Sequence, residues 1–493
     1  MTAELRPYPN YKETGLSWLG PVPAHWDIRR NGRLFAQRNE TGFGSLPILE
    51  VSLKTGVRVR DMKNMKRKQV MTDREKYKKA VQGDIAYNMM RMWQGALGAV
   101  PVDGLVSPAY VVARPSADTE TRYFSYLFRT AAYMAEVDGY SRGIVKDRNR
   151  LYWEDFKRMP SCYPPSEEQT CIADYLDANA LLVRNFIRNR RRLIAVLNEQ
   201  KQAIINKAVI RGLHPGVPLK SSRIGWLGLI PQHWEIWQIG HLAQVGNGST
   251  PSRSNMAYWI DGDFPWLNSG SVNEPTITRA NRFVTKRALR ECHLPLVTQG
   301  SVLIAITGQG KTRGKASVLQ LEATINQHLV FITPITRVRP EFLQAFLVAA
   351  YPELRRISDD SGSTKGALTC ADVRRFRVAI PPENEQREII GHVVHKTHDV
   401  ETAIQTGQRE IDLVREYRNR LVSDVVTGKL DVRHLAPPPG SLDLDESDIR
   451  TREQFTILRG QCFSAHAYEV DRGQPAVFGN IVATPAGDKG LFS

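Results

Sequence analysis

The sequence contains no apolar run near the roughly 20 residues that a membrane-spanning helix needs. Its first residues, Met-Thr-Ala-Glu-Leu-Arg, lack the apolar core of a signal peptide. Cysteine is also scarce: the five cysteines, at positions 162, 171, 292, 370 and 462, show no Cys-x-x-Cys spacing, which argues against a disulfide framework and a structural zinc site. These absences predict a reduced, cytoplasmic protein without a membrane partner.

Catalytic signatures are missing as well. The sequence has no Asn- or Asp-Pro-Pro-Tyr motif for methyl transfer to an amino group and no Gly-x-Gly-x-x-Gly cofactor turn. Residues 305–312 nearly spell a phosphate-binding loop, but Ala305 stands where the pattern wants Gly and no helical stripe follows. The histidines at 392, 395 and 398 diverge around a predicted helix, which favours a solvated face over a metal site. We therefore predict no catalytic residues, no metal site and no cofactor in this chain.

The chain carries a large positive charge. The formal net charge is +16, and a basic protein of this kind usually has a polyanionic partner. A merely basic surface is the alternative, but the charge is clustered. Between residues 54 and 82, eleven basic residues stand against three acids; the basic ones are Lys54, Arg58, Arg60, Lys63, Lys66, Arg67, Lys68, Arg74, Lys76, Lys78 and Lys79. A patch of this density suits phosphate groups.

A long helix is predicted between Pro164 and Gly212. The sequence Pro-Pro-Ser-Glu-Glu-Gln marks its start, with Ser166 as a suitable N-cap and acidic residues in the first turn. Its seam positions step by three and four residues and most of them are apolar, as in a coiled coil; they are Ile172, Leu176, Asn179, Val183, Phe186, Arg190, Leu193, Leu197, Gln200 and Ile204. At 1.5 Å per residue the helix would be about 60 Å long, too long for the core of one compact domain.

The same helix is predicted a second time, between Pro381 and Gly428. Pro-Pro-Glu-Asn-Glu-Gln repeats the start, and the seam follows at Ile390, Val393, Thr397, Val400, Ile404, Gly407, Ile411, Val414, Arg418, Leu421 and Val425. Two helices with one apolar stripe each most simply bury those stripes against each other, so we predict an antiparallel intramolecular pair that acts as a spacer. A pair of dimerisation helices is the alternative.

A further repeat, Lys-x5-Trp-Leu-Gly-x2-Pro-x-His-Trp, stands at residues 12–26 and again at residues 220–234 with identical spacing. We call these segments clasp 1 and clasp 2. The glycine and proline of each can set a turn, and the two tryptophans can make rigid aromatic contacts where the chain enters a domain. This favours a structural role for His25 and His233 over a role as ligands.

Between each clasp and its helix lies a domain whose predicted elements occur in the same order. The predicted strands are Pro47–Val51, Asp84–Tyr87 and Tyr110–Ala113 in the first domain and Val302–Ile306 and Ile325–Ile332 in the second, with helices near Tyr123–Val137 and Glu341–Ile357. The predicted fold class is α+β: two mixed α/β domains alternate with two long helices that pair as an antiparallel coiled coil. The predicted segments are 1–163 (clasp 1 and first domain), 164–215 (first spacer helix), 216–380 (clasp 2 and second domain), 381–432 (second spacer helix) and 433–493 (linker and unassigned tail).

These duplicated motifs resemble the specificity subunit of a type I restriction–modification system. The resemblance rests on the clasp motif, on Pro-Pro-x2-Glu-Gln at the start of each long helix, and on a basic Gly-containing loop upstream, at residues 141–146 and 361–366. Residues 83–95 and 107–110 are similar to a first target-recognition domain, and Asn326-Gln327-His328 is similar to the counterpart in a second. The resemblance covers residues 8–432 and leaves out the tail.

The resemblance implies a division of labour. Each target-recognition domain would read half of a bipartite, asymmetric site on double-stranded DNA, and the spacer helices would fix the gap and bind two modification subunits that methylate adenine. A restriction subunit would supply translocation and cleavage, so S-adenosylmethionine, ATP and Mg²⁺ would belong to the partners. The chain itself would be a non-catalytic subunit of host defence. A single-chain enzyme with an unrecognised nuclease or methyltransferase centre, and a structural DNA-binding dimer, are the alternatives.

The basic loops supply the candidate DNA contacts. Arginine can bind a guanine edge and glutamine an adenine edge through paired hydrogen bonds, whereas lysine more often contacts phosphate. A solvated charged loop is the alternative for each residue. The predicted DNA-binding residues are Arg142, Lys146 and Arg148, with Arg91, in the first half, and Thr364 and Lys365, with Gln309, Lys311 and Arg313, in the second.

Overall fold

The structure is a computed structural model that describes residues 5–61, 74–143, 149–308, 310–360 and 366–435. These residues group into two compact units: unit 1 belongs to Met1–Ile187 and Ile411–Ser493, and unit 2 is Arg188–Glu410. Each unit therefore contains one domain and a part of each long helix. The five-segment division given above stays a prediction, and its last segment lies outside the described residues from residue 436 onward.

The first half of the chain ends in a long helix. Its strands are β1 (Tyr11–Lys12), β2 (Val22–Pro23), β3 (Asp27–Arg30), β4 (Phe35–Arg38), β5 (Leu49–Ser52), β6 (Gly56–Val59), β7 (Lys78–Ala80), β8 (Ile85–Asn88), β9 (Leu97–Ala99), β10 (Gly104–Val106), β11 (Tyr110–Pro115) and β12 (Pro160–Tyr163). Its helices are α1 (Asn31–Leu34), α2 (Thr121–Leu127), α3 (Ala131–Tyr140), α4 (Trp153–Phe156) and α5 (Ser166–Arg211).

The second half follows the same plan. Its strands are β13 (Leu219–Ser221), β14 (Leu229–Pro231), β15 (Glu235–Gln238), β16 (Ala243–Asn247), β17 (Phe264–Leu267), β18 (Thr276–Ile277), β19 (Phe283–Val284), β20 (Val302–Ala305), β21 (Ala316–Leu319), β22 (Thr324–Ile325), β23 (Leu329–Pro334) and β24 (Arg377–Ile380). Its helices are α6 (Ile239–Leu242), α7 (Lys286–Glu291), α8 (Pro340–Ala349), α9 (Tyr351–Asp360), α10 (Cys370–Arg375) and α11 (Glu383–Val426).

The two units share one sheet topology. Unit 1 has the strand order β4-β11-β8-β9, and unit 2 has the order β16-β23-β20-β21-β18. The first three pairings are antiparallel in both sheets, while β18 joins β21 in parallel. Unit 2 also has a three-stranded sheet, β19-β17-β22. The two domains are thus copies of one core with different additions, and the predicted α+β fold class is confirmed.

A central apolar strand in each sheet supplies two cores. In β20, Val302 and Ile304 lie in one buried cluster, whereas Leu303 and Ala305 lie in another. In β8 the same alternation places Ile85 and Tyr87 in one cluster and Ala86 in a second. Successive side chains of a strand point to opposite faces of the sheet, so a continuous apolar run indicates that both faces are covered.

Three predicted elements are interrupted in the structure. The helix predicted near Tyr123–Val137 is two helices, α2 and α3, because the Thr130 side chain accepts a hydrogen bond from the Tyr133 N–H and caps a new helix. The helix predicted near Glu341–Ile357 is α8 and α9, and Pro352, which has no N–H, lies in the first turn of α9. The strand predicted at Ile325–Ile332 is broken between β22 and β23.

The two long helices run antiparallel within unit 2. Arg190 Nε lies 2.9 Å from Glu410 Oε2, and Lys201 Nζ lies 2.6 Å from Glu401 Oε1, so residue numbers rise along α5 as they fall along α11. Gly407 faces α5 at close range in the same unit. The predicted antiparallel coiled coil is therefore confirmed. Among the residues that the structure describes, no helix combines the length and the apolar character that crossing a bilayer requires.

The buried stripe of α5 departs from the predicted seam in its second half. Positions up to Phe186 are buried as expected, but Leu193 is 44% exposed and Ile194 is the more buried of the two. The reason is geometric: a straight α-helix has 3.6 residues per turn and drifts by about 20° per heptad from a 3.5-residue repeat. A strict heptad extrapolated over more than 30 residues therefore leaves the buried face.

Clasp 1 holds the start of α5 through one carboxylate. Glu168, only 6% exposed, accepts hydrogen bonds from Tyr8 Oη at 2.6 Å and Trp26 Nε1 at 2.9 Å. His25 Nε2 lies 2.7 Å from the other carboxylate oxygen. Burial and the bond to Glu168 raise the pKa of Tyr8 well above its usual value, so its hydroxyl remains a donor.

Clasp 2 repeats this contact at the start of α11. Glu385 accepts a hydrogen bond from Trp234 Nε1 at 3.1 Å, and His233 Nε2 lies 2.7 Å from its other oxygen. The glutamate of Pro-Pro-x2-Glu-Gln and the His-Trp of the clasp are thus two sides of one contact. This explains why the two motifs recur together, and it gives both clasp histidines the structural role that was predicted.

The glutamine of the same motif is fully buried in both copies. Gln169 Oε1 accepts from the Glu120 N–H at 2.9 Å, and Gln386 Oε1 accepts from the Arg339 N–H at 2.8 Å. Glu120 and Arg339 are the N-cap residues of α2 and α8. Each glutamine amide also donates to the carbonyl of the first motif proline. The motif therefore joins a long helix to the first helix of its domain.

The end of α11 packs on clasp 1, which makes Gly428 sensitive to substitution. Gly428 has a φ of +78°, and an added Cβ would lie 2.7 Å from Pro23 Cγ and 3.0 Å from Trp26 Cζ3. We expect Gly428→Ala to lower the free energy of unfolding of unit 1 by about 1–3 kcal/mol, measured by urea titration. Gly139→Ala in α3 is the matched control: nothing lies within 4 Å of its Cβ position, so we expect a gain of about 0.5–1 kcal/mol. Equal effects of both substitutions would contradict the close packing.

Candidate nucleic-acid interface

The described candidates of the first unit lie at its surface. Arg142 forms a short backbone bridge with Arg150, and its guanidinium donates a hydrogen bond to the buried carboxylate of Asp155. The Arg142 side chain is nevertheless 67% exposed, so it remains accessible. Arg91 is also exposed, in the turn that follows β8, where the Asn88 carbonyl accepts its N–H at 3.0 Å. Both positions are compatible with the predicted DNA contacts.

Two candidates in the second unit, Lys311 and Arg313, differ in their exposure to solvent. Lys311 is exposed, and its carbonyl accepts a hydrogen bond from Tyr351 Oη at 2.9 Å. Arg313 is only 4% exposed; it donates to the Gly366 carbonyl at 2.6 Å and to the Asp359 carboxylate. The structure therefore does not support direct DNA contact by Arg313. Its burial makes it a link between the loop after β20 and the end of α9.

The remaining candidates cannot be placed. Lys146 and Arg148 of the first half, and Gln309, Thr364 and Lys365 of the second, lie outside the described residues. They stay predictions. The centre of the basic cluster, residues 62–73, lies outside them as well.

The described part of the basic cluster has structural partners. Arg58 Nε, on β6, lies 2.6 Å from Glu50 Oε1 on β5. Lys78 Nζ donates to the Tyr110 carbonyl at 3.0 Å, and burial lowers the pKa of this amine. Lys54 is exposed. Charge density in the sequence thus overstates the number of free cations, because some of these side chains stabilise the fold.

The loop that resembles a phosphate-binding turn has another role in the fold. Residues 310–315 lead into β21 rather than into a helix, and α9 packs against them: Arg355 donates to the Gly310 carbonyl at 2.9 Å. The three histidines at 392, 395 and 398 are exposed on α11. In the described part of the chain, no group of three or more His, Cys, Asp or Glu side chains is arranged to hold a metal ion.

A cleft of about 520 Å³ in unit 2 was not predicted. Its lining includes Arg253, Asn268, Arg282 and the segment Asn326–His328, where the predicted strand is interrupted. Gly248 allows this shape, because an added Cβ there would lie 1.7 Å from the Ile325 carbonyl oxygen. The tripeptide was identified in the sequence as a domain signature, but its strand-like neighbours concealed the break. The arginines and Asn268 gave no sequence signal, since they come from separate loops.

The comparisons with known proteins agree with the duplicated architecture. Residues 231–410 match the family model described as the type I restriction modification DNA specificity domain. The chain is 29% identical to the type I restriction enzyme MjaIX specificity subunit of Methanocaldococcus jannaschii over 363 residues, which are 71% of this chain and 75% of that protein. A second match, the putative MjaX specificity subunit of the same organism, is 22% identical and extends over 86% of this chain and 97% of the relative.

Two further matches differ in extent. The match to the EcoR124I/EcoR124II specificity subunit of Escherichia coli is 21% identical over 191 residues, 38% of this chain, and spans about half (47%) of that subunit's length. A solved structure from work on complex assembly and conformational transition of the type I R-M system superimposes with a TM-score of 0.60 at 18% identity, over 83% of this chain and 99% of that one. The fold is therefore shared, and the alternatives of a single-chain enzyme and a structural dimer are not favoured. Over most of its length, the chain is thus similar to type I restriction–modification specificity subunits.

Proposed function

We propose that this chain is the sequence-specific DNA-recognition subunit of a type I restriction–modification complex. Unit 1 reads one half of a bipartite sequence and unit 2 reads the other, while the paired helices fix the gap between the halves. Two modification subunits, which bind S-adenosylmethionine and methylate adenine, dock on the helices, and a restriction subunit uses ATP and Mg²⁺. The chain acts in the cytoplasm and performs no chemistry of its own.

The observation that carries this proposal is that the two units share a common core but differ in the elements added to it. Both units have the same four-stranded core, the same clasp contact and the same buried glutamine, yet unit 2 adds β17, β18, β19, β22 and α7. Domains with a common frame and different additions present different surfaces to DNA. Since base edges are read by particular side chains at particular positions, the two half-sequences should differ, and the complete site should not be palindromic.

Exposed apolar side chains on the long helices support docking of partner subunits. Leu193 and Val196 on α5, and Val394 and Leu413 on α11, are each more than two-fifths exposed. Leu193 and Val196 are about one turn apart on α5 and so share a face, and exposed apolar faces are typical of protein interfaces. The modification subunits are the partners that this family implies.

The decisive experiment is genome-wide mapping of adenine methylation in cells that express this chain together with the modification subunit encoded beside it. We expect a bipartite, asymmetric methylated motif that disappears when either protein is omitted. Cells with the modification subunit alone are the control. A palindromic motif, or no new motif despite a soluble complex of the two proteins, would contradict the proposal.

A further inference from the structure

The cleft in unit 2 has an unusual arrangement of hydrogen-bonding groups. Asn326 is 5% exposed, and its Oδ1 accepts the His328 N–H at 3.0 Å. Its backbone N–H donates to the Leu267 carbonyl at 3.0 Å. Among the residues that the structure describes, none accepts a hydrogen bond from its Nδ2. Since Asn326 lines the cleft, its Nδ2 is a donor that a ligand in the cleft can use.

The other amide side chains of the cleft repeat this pattern. Asn268 Oδ1 accepts the Gly270 N–H at 2.8 Å, and Gln327 Oε1 accepts from the Thr250 hydroxyl. In each case the oxygen is engaged within the protein, while no described residue accepts from the amide nitrogen. The amide groups left open are therefore donors.

The charged side chains of the cleft are also hydrogen-bond donors. Arg253 and Arg282 are exposed, and within the described chain neither guanidinium has a carboxylate partner. No aspartate or glutamate contributes to the described lining. The cleft thus offers positively charged and neutral donors without a competing carboxylate, and it suits a ligand that presents acceptors.

We propose that this cleft reads a guanine in the half-sequence bound by unit 2, an inference that rests on the proposed function. In the major groove guanine presents two neighbouring acceptors, N7 and O6, whereas adenine pairs an acceptor with a donor, cytosine presents a donor, and thymine presents one acceptor beside a methyl group. Asn326 Nδ2 and the guanidinium of Arg282 are the donors. Asn326 favours a base over a phosphate, because a neutral, nearly buried amide suits a base edge that enters the cleft.

The test uses the complete complex of this chain with its modification subunits and duplexes that carry the methylated motif. Each guanine of the second half-sequence is replaced singly by 7-deazaguanine, which lacks the N7 acceptor. We expect one such replacement to weaken binding about tenfold. Asn326→Asp keeps an oxygen for the His328 N–H but replaces the donor with an anion. We expect the Asn326→Asp variant to bind the unmodified duplex at least about tenfold more weakly than the unsubstituted chain does. For this variant, the same 7-deazaguanine replacement should weaken binding further by less than about twofold.

Controls separate reading of a base from loss of fold or of charge. Arg282→Ala should weaken binding, whereas Arg279→Ala, an exposed arginine three residues earlier that does not line the cleft, should leave binding within about twofold. Both variants and Asn326→Asp should keep the wild-type sensitivity to base changes in the first half-sequence, which shows that the chain is folded.

Three outcomes would overturn the inference. One is a second half-sequence without guanine on either strand. Another is that Asn326→Asp weakens binding by the same factor on duplexes with guanine and on duplexes with 7-deazaguanine, which would assign the cleft to a phosphate. The third is unchanged binding by Asn326→Asp and Arg282→Ala. If the wild-type complex showed no sequence preference, the proposed function itself would fail, independently of the cleft.

Discussion

Ile411→Glu is expected to lower the free energy of unfolding of unit 1 by about 3–5 kcal/mol. Ile411 is 1% exposed on α11, so the substitution removes buried apolar area and places a carboxylate away from water. Urea unfolding followed by tryptophan fluorescence measures the effect. The same substitution should reduce assembly with the modification subunits, because the spacer helices would no longer pair correctly.

Leu413→Glu is the matched control for this prediction. Leu413 lies two residues further along the same helix and is 53% exposed, so we expect a change within about 0.5 kcal/mol. Burial raises the pKa of a carboxyl group. The new side chain of Ile411→Glu is therefore destabilising above its raised pKa, and the difference from the unsubstituted chain should shrink as the pH falls through that pKa. A penalty that is equal at both positions, or that grows on acidification, would be inconsistent with a buried seam at Ile411.

Glu168→Ala is expected to lower the free energy of unfolding of unit 1 by about 3–5 kcal/mol. The substitution leaves Tyr8 Oη and Trp26 Nε1 without their acceptor, and both side chains are buried. Bonds to a charged acceptor contribute about 1.5–3 kcal/mol each. Thermal or urea unfolding of the purified chain measures the loss, and the start of α5 should become more accessible to hydrogen exchange.

The second copy of the motif supplies an internal comparison. Glu385 accepts from Trp234 and contacts His233, which is partly exposed, but no tyrosine of the described chain makes a counterpart of the Tyr8 contact. We therefore expect Glu385→Ala to lower the free energy of unfolding of unit 2 by about 1–3 kcal/mol. Glu167→Ala, at an exposed position beside Glu168, should cost less than about 1 kcal/mol. If Glu168→Ala had no larger effect than Glu167→Ala, the carboxylate would not be the centre of the clasp.

The architecture could be predicted from the sequence because each of its motifs occurs twice, in the same order. Two matched clasps, two Pro-Pro-x2-Glu-Gln motifs and two apolar stripes at helical spacing each indicate a duplicated chain, and the sheets of the two units share one strand order. Local breaks were less predictable. Thr130 begins a new helix through a single side-chain hydrogen bond, and the three residues between β22 and β23 interrupt a run that is apolar on both sides. Such events depend on one contact and leave the average periodicity unchanged.

Individual contact residues were less predictable still. Arg142 and Arg313 are both arginines in loops near glycine, yet one is largely exposed and the other is buried against Asp359 and Gly366. Whether a cation is free depends on which acceptor the rest of the fold brings to it, and these partners lie 13 residues away for Arg142 and 46 and 53 residues away for Arg313. Composition cannot supply that information.

The sequence by itself determined the duplicated plan and the two long helices, because apolar period and motif spacing are local properties that each helix carries within itself. It predicted their antiparallel pairing, but the contacts between α5 and α11 decided it against a pair of dimerisation helices. Only the tertiary structure decided which glutamate and glutamine of the helix motif bind which clasp and cap, where the buried stripe of α5 departs from its heptad, and that Arg253, Asn268, Arg282 and Asn326 share one cleft. These features arise from contacts between residues far apart in the chain, which close only when the sheets and helices have packed.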